Sequence, residues 1–263
     1  MTPPLVIVDL GATLAYGPSQ GPATRISLAL GLDQVQKSRL GTALMTRAWS
    51  GPHAVAAFLR DEMGVKDPAT ERVVSEIWRA QEREAAPVEG AEAAMTRMIE
   101  AGYQIALVSN IWPPFLAAVR AHFGTLIDAA VPPERQIYSF RVGTAKPSAA
   151  LFRQALQAGK ADPRRTVMIG DSYREDIEPA SLLGIWTIWL LHRPAKEAAN
   201  VAAILNGTAP PPSRTLLSIA EIEPDLVEAL LGGDPSQPTP QPRRGERSQA
   251  EGPTNANPGC GTV

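Results

Sequence analysis

The chain has 263 residues, with 25 Lys and Arg against 27 Asp and Glu and a formal net charge of −2. That length is enough for one large domain with an insertion, or for two domains. The balanced charge gives no electrostatic reason to expect nucleic acid or an anionic membrane surface as partner. The single cysteine, Cys260, cannot form an internal disulfide, and no apolar run approaches the roughly 18–20 residues of a membrane span.

Residues 5–10 form a short apolar run rich in β-branched residues and broken by Asp9. This reads as a strand and not as a signal peptide, so the expected location is cytoplasmic. Residues 22–86 carry helical patterns, with Val73, Val74, Ile77 and Trp78 on one face and Leu40 with Leu44 on another. After the "PVEG" at 87–90 the pattern changes. A helix through Ala91, Ala94, Met95 and Met98 ends at Gly102, and "YQIALVSN" (103–110) is a strand with a polar tip. A helix over 113–123 and a short strand over 125–131 follow. Next come a loop and helix over 142–159, with Pro147 at a favoured first helical position. The remaining expectations are strands at 165–172, 185–191 and 214–219, a helix running to Gly184, and a last helix over 225–232. No internal repeat is evident. Residues 233–263 are rich in Pro, Gly, Gln and Ser and read as a disordered tail.

Strands alternating with helices predict a doubly wound parallel α/β sheet, in which ligands gather at the carboxyl ends of the strands. Three expected strands end in polar residues: Asp9, then Ser109 with Asn110, then Asp171 with Ser172, and Lys146 lies between the second and third. An acid able to attack, a hydroxyl donor, a cation and a second acid are the requirements of phosphoryl transfer. Two adjacent carboxylates repel unless a cation separates them, and magnesium with oxygen ligands suits that arrangement.

Four stretches, "VIVDLGATL", "IALVSN", "VGTAKPSAALF" and "VMIGDSYREDIEPASLLGI", stand in the order and spacing of the motifs of the haloacid dehalogenase superfamily. Over residues 5–231 the chain resembles the branch of that superfamily with a helical cap between the first and second motifs. The resemblance implies a Rossmann-like core over residues 1–14 and 88–232, with an inserted all-helical cap over 15–87. It implies Asp9 as nucleophile, forming an aspartyl-phosphate. Ser109 and Asn110 would contact the phosphoryl group, and Lys146 would neutralise charge on nucleophile and phosphate. Mg2+ would be held by Asp9, Asp171 and the backbone carbonyl of Gly11, with Asp176 ordering Lys146 and the metal waters. The substrate would be a small phosphorylated metabolite. The sequence carries no signature of oligomeric state.

The first motif departs from the superfamily's D-x-D-G-T pattern. Gly11 stands where a second Asp acts as general acid and base, and Ala12 replaces the glycine. A positioned general acid is worth about 10²–10⁴-fold. The leading expectation is therefore a phosphatase that lacks its usual proton donor. A catalytically weak binding or regulatory protein is the alternative. A 2-haloacid dehalogenase is disfavoured by Gly11 and by the "GDS" form of the fourth motif. His53, His122 and His192 lack metal-site spacing, Trp186 and Trp189 are expected on opposite strand faces, and Arg25, Arg39, Arg47 and Arg60 fall in the helical block.

Overall fold

A computed structural model of the chain describes residues 2–233. The expected tail over 233–263, Gly233 apart, lies outside the described residues, as does Cys260.

The first strand, β1 (Leu5–Val8), is wholly buried, as a central parallel strand must be when helices cover both faces. Its side chains divide by alternation. Leu5 and Ile7 pack with Leu151, Phe152 and Ala155 on one face, while Val6 and Val8 pack with Met95, Phe123 and Val227 on the other. Further strands are β4 (Gln104–Ser109), β5 (Gln136–Tyr138), β6 (Thr166–Gly170), β7 (Trp186–Leu190) and β8 (Arg214–Leu216). With β1 they form one six-stranded sheet in the order β5-β4-β1-β6-β7-β8, and every pairing in it is parallel. The chain builds outward from β1 through β4 to β5, then crosses back to β6 and builds the other way. The strand order therefore reverses beside β1, where doubly wound sheets open a crevice for ligands.

The covering helices are α5 (Ala91–Glu100), α6 (Pro113–Ala130), α8 (Ala149–Gly159), α9 (Glu178–Ser181) and α11 (Pro224–Leu231). Three other elements are α7 (Ser139–Val142), α10 (Ala198–Leu205) and a small antiparallel pair, β2 (Ala15–Tyr16) with β3 (Ala86–Pro87). Between the two strands of that pair lie α1 (Pro22–Leu30), α2 (Gln34–Thr46), α3 (Pro52–Asp61) and α4 (Thr70–Gln81). These four helices close around an apolar centre of their own, which includes Ile26, Leu44, Val55, Leu59 and Val74 and which Trp112 enters from the sheet side. Among the described residues no helix is long and apolar enough to cross a membrane.

The expected strand over 125–131 is not formed. Helix α6 continues through it to Ala130, because Leu116, Val119, Phe123 and Ile127 recur every three or four residues and give one buried helical stripe. The strand on that side of the sheet is the three-residue β5 instead. Pro147 does not open a helix either: Ser148 caps α8 with its hydroxyl on the Ala150 N–H, and Pro147 precedes the cap. Trp186 and Trp189 do face opposite ways, one in the main core and the other against Tyr173 and Ile177. Arg25, Arg47 and Arg60 form ion pairs with Glu84, Glu62 and Glu71, and Arg39 lies over the Phe58 ring.

Candidate active site

Asp9 continues β1 by one residue, its N–H donating to Ile169 O at 3.0 Å. The chain then turns sharply: the N–H groups of Leu14 and Ala15 both donate to Leu10 O, at 2.9 and 3.0 Å. The turn places Ala12 at φ +57°, a left-handed conformation that costs an L-residue roughly 1–2 kcal/mol. Gly11 is open-sided, and a Cβ built on it meets nothing within 4 Å.

Adjacent strands bring the other polar tips alongside. Lys146 Nζ donates to Asp9 Oδ1 at 2.7 Å, to Asp176 Oδ1 at 2.6 Å and to Val108 O at 3.2 Å. Its three donors are therefore all used within the protein. Asn110 fixes the lysine's backbone from both sides: Asn110 Nδ2 donates to Lys146 O at 3.0 Å, and Lys146 N–H donates to Asn110 Oδ1 at 2.7 Å. Asn110 Nδ2 also donates to Glu175 Oε2 at 3.3 Å, so the amide ties Lys146 and Glu175 together. Ser109 is buried at the end of β4, and its hydroxyl has no partner among the described residues.

Asp171 lies just before a single π-helical turn, Tyr173–Ile177, such as often marks a functional segment, and Asp176 lies within that turn. Asp176 Oδ2 accepts from the Ser172 N–H at 3.1 Å, while Trp189 Nε1 donates to Asp171 O at 3.0 Å. The carboxylates of Asp9, Asp171 and Asp176 are all buried, with an oxygen of each within 4.8 Å of the others. They open into a polar pocket of 230 Å³ that Gly11, Asn110 and Tyr16 also line.

Sequence reasoning missed two cations in that pocket. Arg193 pairs with Asp171 Oδ2, and Lys196 Nζ lies 3.9 Å from the same oxygen. Both sit on the loop after β7, at the carboxyl edge of the sheet, so the basic pair in "HRPAK" just beyond an expected strand was the available signal. His192 is in the same loop, its ring edge-on to Tyr16 at 5.7 Å. The larger 650 Å³ concavity along α5, lined by residues such as Glu89 and Arg97, shares no residue with the carboxylate pocket.

A profile of the haloacid dehalogenase-like hydrolases matches residues 32–184, more than half of the chain. The chain belongs to that family. A phosphoserine phosphatase from Thermus thermophilus is 28% identical over 151 residues, which is 54% of this chain and 56% of that protein, so the chain spans little more than half of its length. A haloacid dehalogenase-like family hydrolase from Xanthomonas campestris has a similar fold, with TM-score 0.57 and 18% identity over 87% of this chain and 92% of its own. A hydrolase of the family from Deinococcus radiodurans, solved with bound phosphate and sodium, gives TM-score 0.53 and 23% identity, covering 88% and 97%. A family enzyme from Bacteroides thetaiotaomicron, solved as a magnesium complex, gives TM-score 0.52 and 18% identity, covering 71% and 92%.

The electrostatics of this family member follow from burial. Burial pulls the Lys146 ammonium down, but the flanking Asp176 and Asp9 carboxylates outweigh it and hold its pKa above the usual value. Asp176 has one cation and two anions beside it. Burial, helped by Asp9 and Asp171, works against the pull of Lys146 and raises its carboxyl above the usual carboxylate range. Burial and then Asp9 raise Asp171, while Arg193 and Lys196 pull the other way. Counting Glu175, which also lines the pocket, four carboxylates face the three cations Lys146, Arg193 and Lys196, and the three buried aspartates form an all-oxygen donor set that suits a hard divalent cation.

Proposed function

We propose that the chain is a magnesium-dependent phosphatase of a small phosphorylated metabolite, acting through an aspartyl-phosphate on Asp9. The observation that carries the reading is Lys146 bridging Asp9 and Asp176 beside a buried Ser109 hydroxyl that has no partner. Asp9 Oδ1 is held by Lys146, whereas Oδ2 has only a 3.4 Å bond from Thr13, so Oδ2 is the oxygen free to attack. It forms a bond to phosphorus as the bond from phosphorus to the ester oxygen breaks, and the electron pair leaves with that oxygen. Water then attacks phosphorus, releasing phosphate and regenerating Asp9. Ser109 donates its O–H to a phosphoryl oxygen, satisfying a donor whose isolation otherwise costs about 1–3 kcal/mol. Lys146 offsets negative charge on Asp9 and on the phosphoryl group, and Asn110 and Asp176 keep Lys146 in place.

Asp9, Asp171 and the Gly11 carbonyl would hold Mg2+, which when bound supplies charge neutralisation and polarisation of the phosphoryl group. Gly11 offers no proton to the leaving oxygen, so that proton comes from water. Residues 15–87 act in this reading as a cap over the core formed by 1–14 and 88–232, and the setting is cytoplasmic. The Thermus relative's name supports a phosphomonoester as substrate class.

A second reading, a weak or non-catalytic binding protein, draws support from Gly11 and from the Arg193 guanidinium on Asp171. Phosphate release from a panel of phosphomonoesters, with magnesium or chelator and with Asp9→Asn as control, separates the two. Metal-dependent release that disappears in Asp9→Asn is the expected result. Absence of release from every ester would favour the binding protein, and chloride release from a 2-chloro acid, indifferent to chelator, would favour the dehalogenase.

A further inference from the structure

Two kinds of cation serve the carboxylate pocket. Lys146 is buried and uses all three donors inside the protein, so its charge is a fixed part of the site. Arg193 is held differently. Its Nη2 donates to Asp171 Oδ2, while its Nε has no partner among the described residues. The contact is therefore one-pronged, not the two-pronged fork that makes Arg–carboxylate pairs strong. The Arg193 side chain is 37% exposed against 5% for Asp171, so the arginine has solvent to turn into and the aspartate does not. The backbone beneath it is anchored. Lys196 N–H donates to Arg193 O at 3.0 Å. The buried Glu197 carboxylate accepts from the Tyr173 N–H at 3.4 Å and from Asn200 Nδ2 at 2.7 Å. Release of the guanidinium is thus a side-chain rotation and needs no opening of the loop.

Asp171 is also a ligand of the divalent cation in the phosphatase reading, so two cations claim one carboxylate. Among the described residues no other donor is bonded to that carboxylate, and Lys196 Nζ stands off at 3.9 Å. Four carboxylates face three side-chain cations, which leaves the pocket one charge short of balance. A divalent cation added with all three in place overshoots it. Like charges sharing a buried carboxylate repel strongly, because little water screens them. We propose that Arg193 is an exchangeable counter-ion of Asp171, competing with the divalent cation for this carboxylate and so setting the metal affinity of the site. The inference rests on the metal ligation in the phosphatase reading and deepens it. A site with a built-in competitor fills only at a higher magnesium concentration than the three aspartates alone would require.

Magnesium alone, titrated calorimetrically into the full chain with no phosphate present, reads the competition without any turnover. Arg193→Met is expected to tighten magnesium binding about 3- to 10-fold, between the worth of an exposed ion pair and that of a hydrogen bond to a charged group. Lys196→Met removes the same charge from the rim but no hydrogen bond, and should tighten binding less than about 2-fold. A second readout follows the guanidinium itself. Arg193 Nε is buried, so exchange of its proton with water should accelerate as magnesium saturates the wild-type protein. NMR measures it on the Nε–H signal that is missing in Arg193→Met. Equal or weaker magnesium binding in Arg193→Met would make the arginine an orienting partner of Asp171. Equal tightening in both variants would reduce it to a diffuse rim charge, and exchange that stays slow at saturating magnesium would mean that the guanidinium never leaves. Each of these results overturns the proposal. If Arg193→Met fails to fold, Arg193→Gln replaces it in the titration, and the exchange measurement on the wild type stands by itself. Magnesium that binds neither the wild type nor the variant would remove the metal ligation and the proposal with it. Absence of phosphate release with the binding pattern intact would end the phosphatase reading alone and leave the exchange standing.

Discussion

Gly11 and Gly170 are the two glycines whose missing side chains shape the chemistry, in opposite senses. The Cβ position at Gly11 is open, so an acid can be built there without displacing a neighbour. Gly11→Asp is expected to raise kcat on alkyl phosphates toward the 10²–10⁴-fold worth of a general acid. Aryl and acyl phosphates, whose leaving groups need little protonation, should gain far less. Steady-state rates on a matched alkyl and aryl pair decide it, and equal gains on both would show that proton supply is not what Gly11 lacks. Gly170 is the reverse case. A Cβ there falls 2.5 Å from the Asp176 carboxylate, so Gly170→Ala must push Asp176 off Lys146. Misplacement on the scale of 1 Å is worth about 10²-fold in rate, and that loss is expected with the sheet intact by circular dichroism.

Among the elements, legibility followed local periodicity. β1, β4 and β6 were readable because each is a buried run ending at Gly or a polar tip, β7 because its apolar run follows Gly184, and the stripe of α4 was plain in Val73, Val74, Ile77 and Trp78. The carboxylates and Lys146 were readable because parallel topology collects strand tips at one edge. The continuation of α6 was misread because its β-branched and small residues imitate a strand when the window stops at Gly124. The Arg193–Asp171 pair was only hinted at by the basic residues of "HRPAK", since the contact itself depends on the path of the loop after β7. β5 was missed as a three-residue strand, yet it seats Tyr138, which is fully buried and stacked with Phe140 at 6.2 Å. Burial, opposed by Arg141, raises the Tyr138 phenol from 10.0 to about 12. A raised folded pKa means stability that is complete below pH 10 and is lost as pH climbs from 10 towards 12. Tyr138→Phe should flatten this alkaline limb in urea titrations at stepped pH. A limb unchanged in that variant would assign it to other groups.

For the whole molecule, the reversal of strand order at β1 makes one crevice carry most of the buried charge. Asp9, Asp171 and Asp176 come from the two halves of the sheet, and their mutual repulsion acts against closing those halves together. Lys146 offsets part of it from within, and Arg193 and Lys196 offset part of it at the rim. A divalent cation bound only by the folded protein relieves the remainder and must raise stability by linkage, by about 2.7 kcal/mol when present at a hundred times its Kd. Magnesium is therefore expected to raise the midpoint of thermal unfolding in a concentration-dependent way, and chelator to return it. In Asp171→Asn the magnesium response should vanish. The metal-free variant should be no less stable than the metal-free parent, because a buried charge has been removed and its partner Arg193 can turn to solvent, being 37% exposed. Calorimetry of the two proteins with chelator and with magnesium reads both effects. A magnesium response that persists in Asp171→Asn would place the cation elsewhere, and a large loss of stability in the metal-free variant would make Asp171–Arg193 a structural clamp and not a ligand held in readiness.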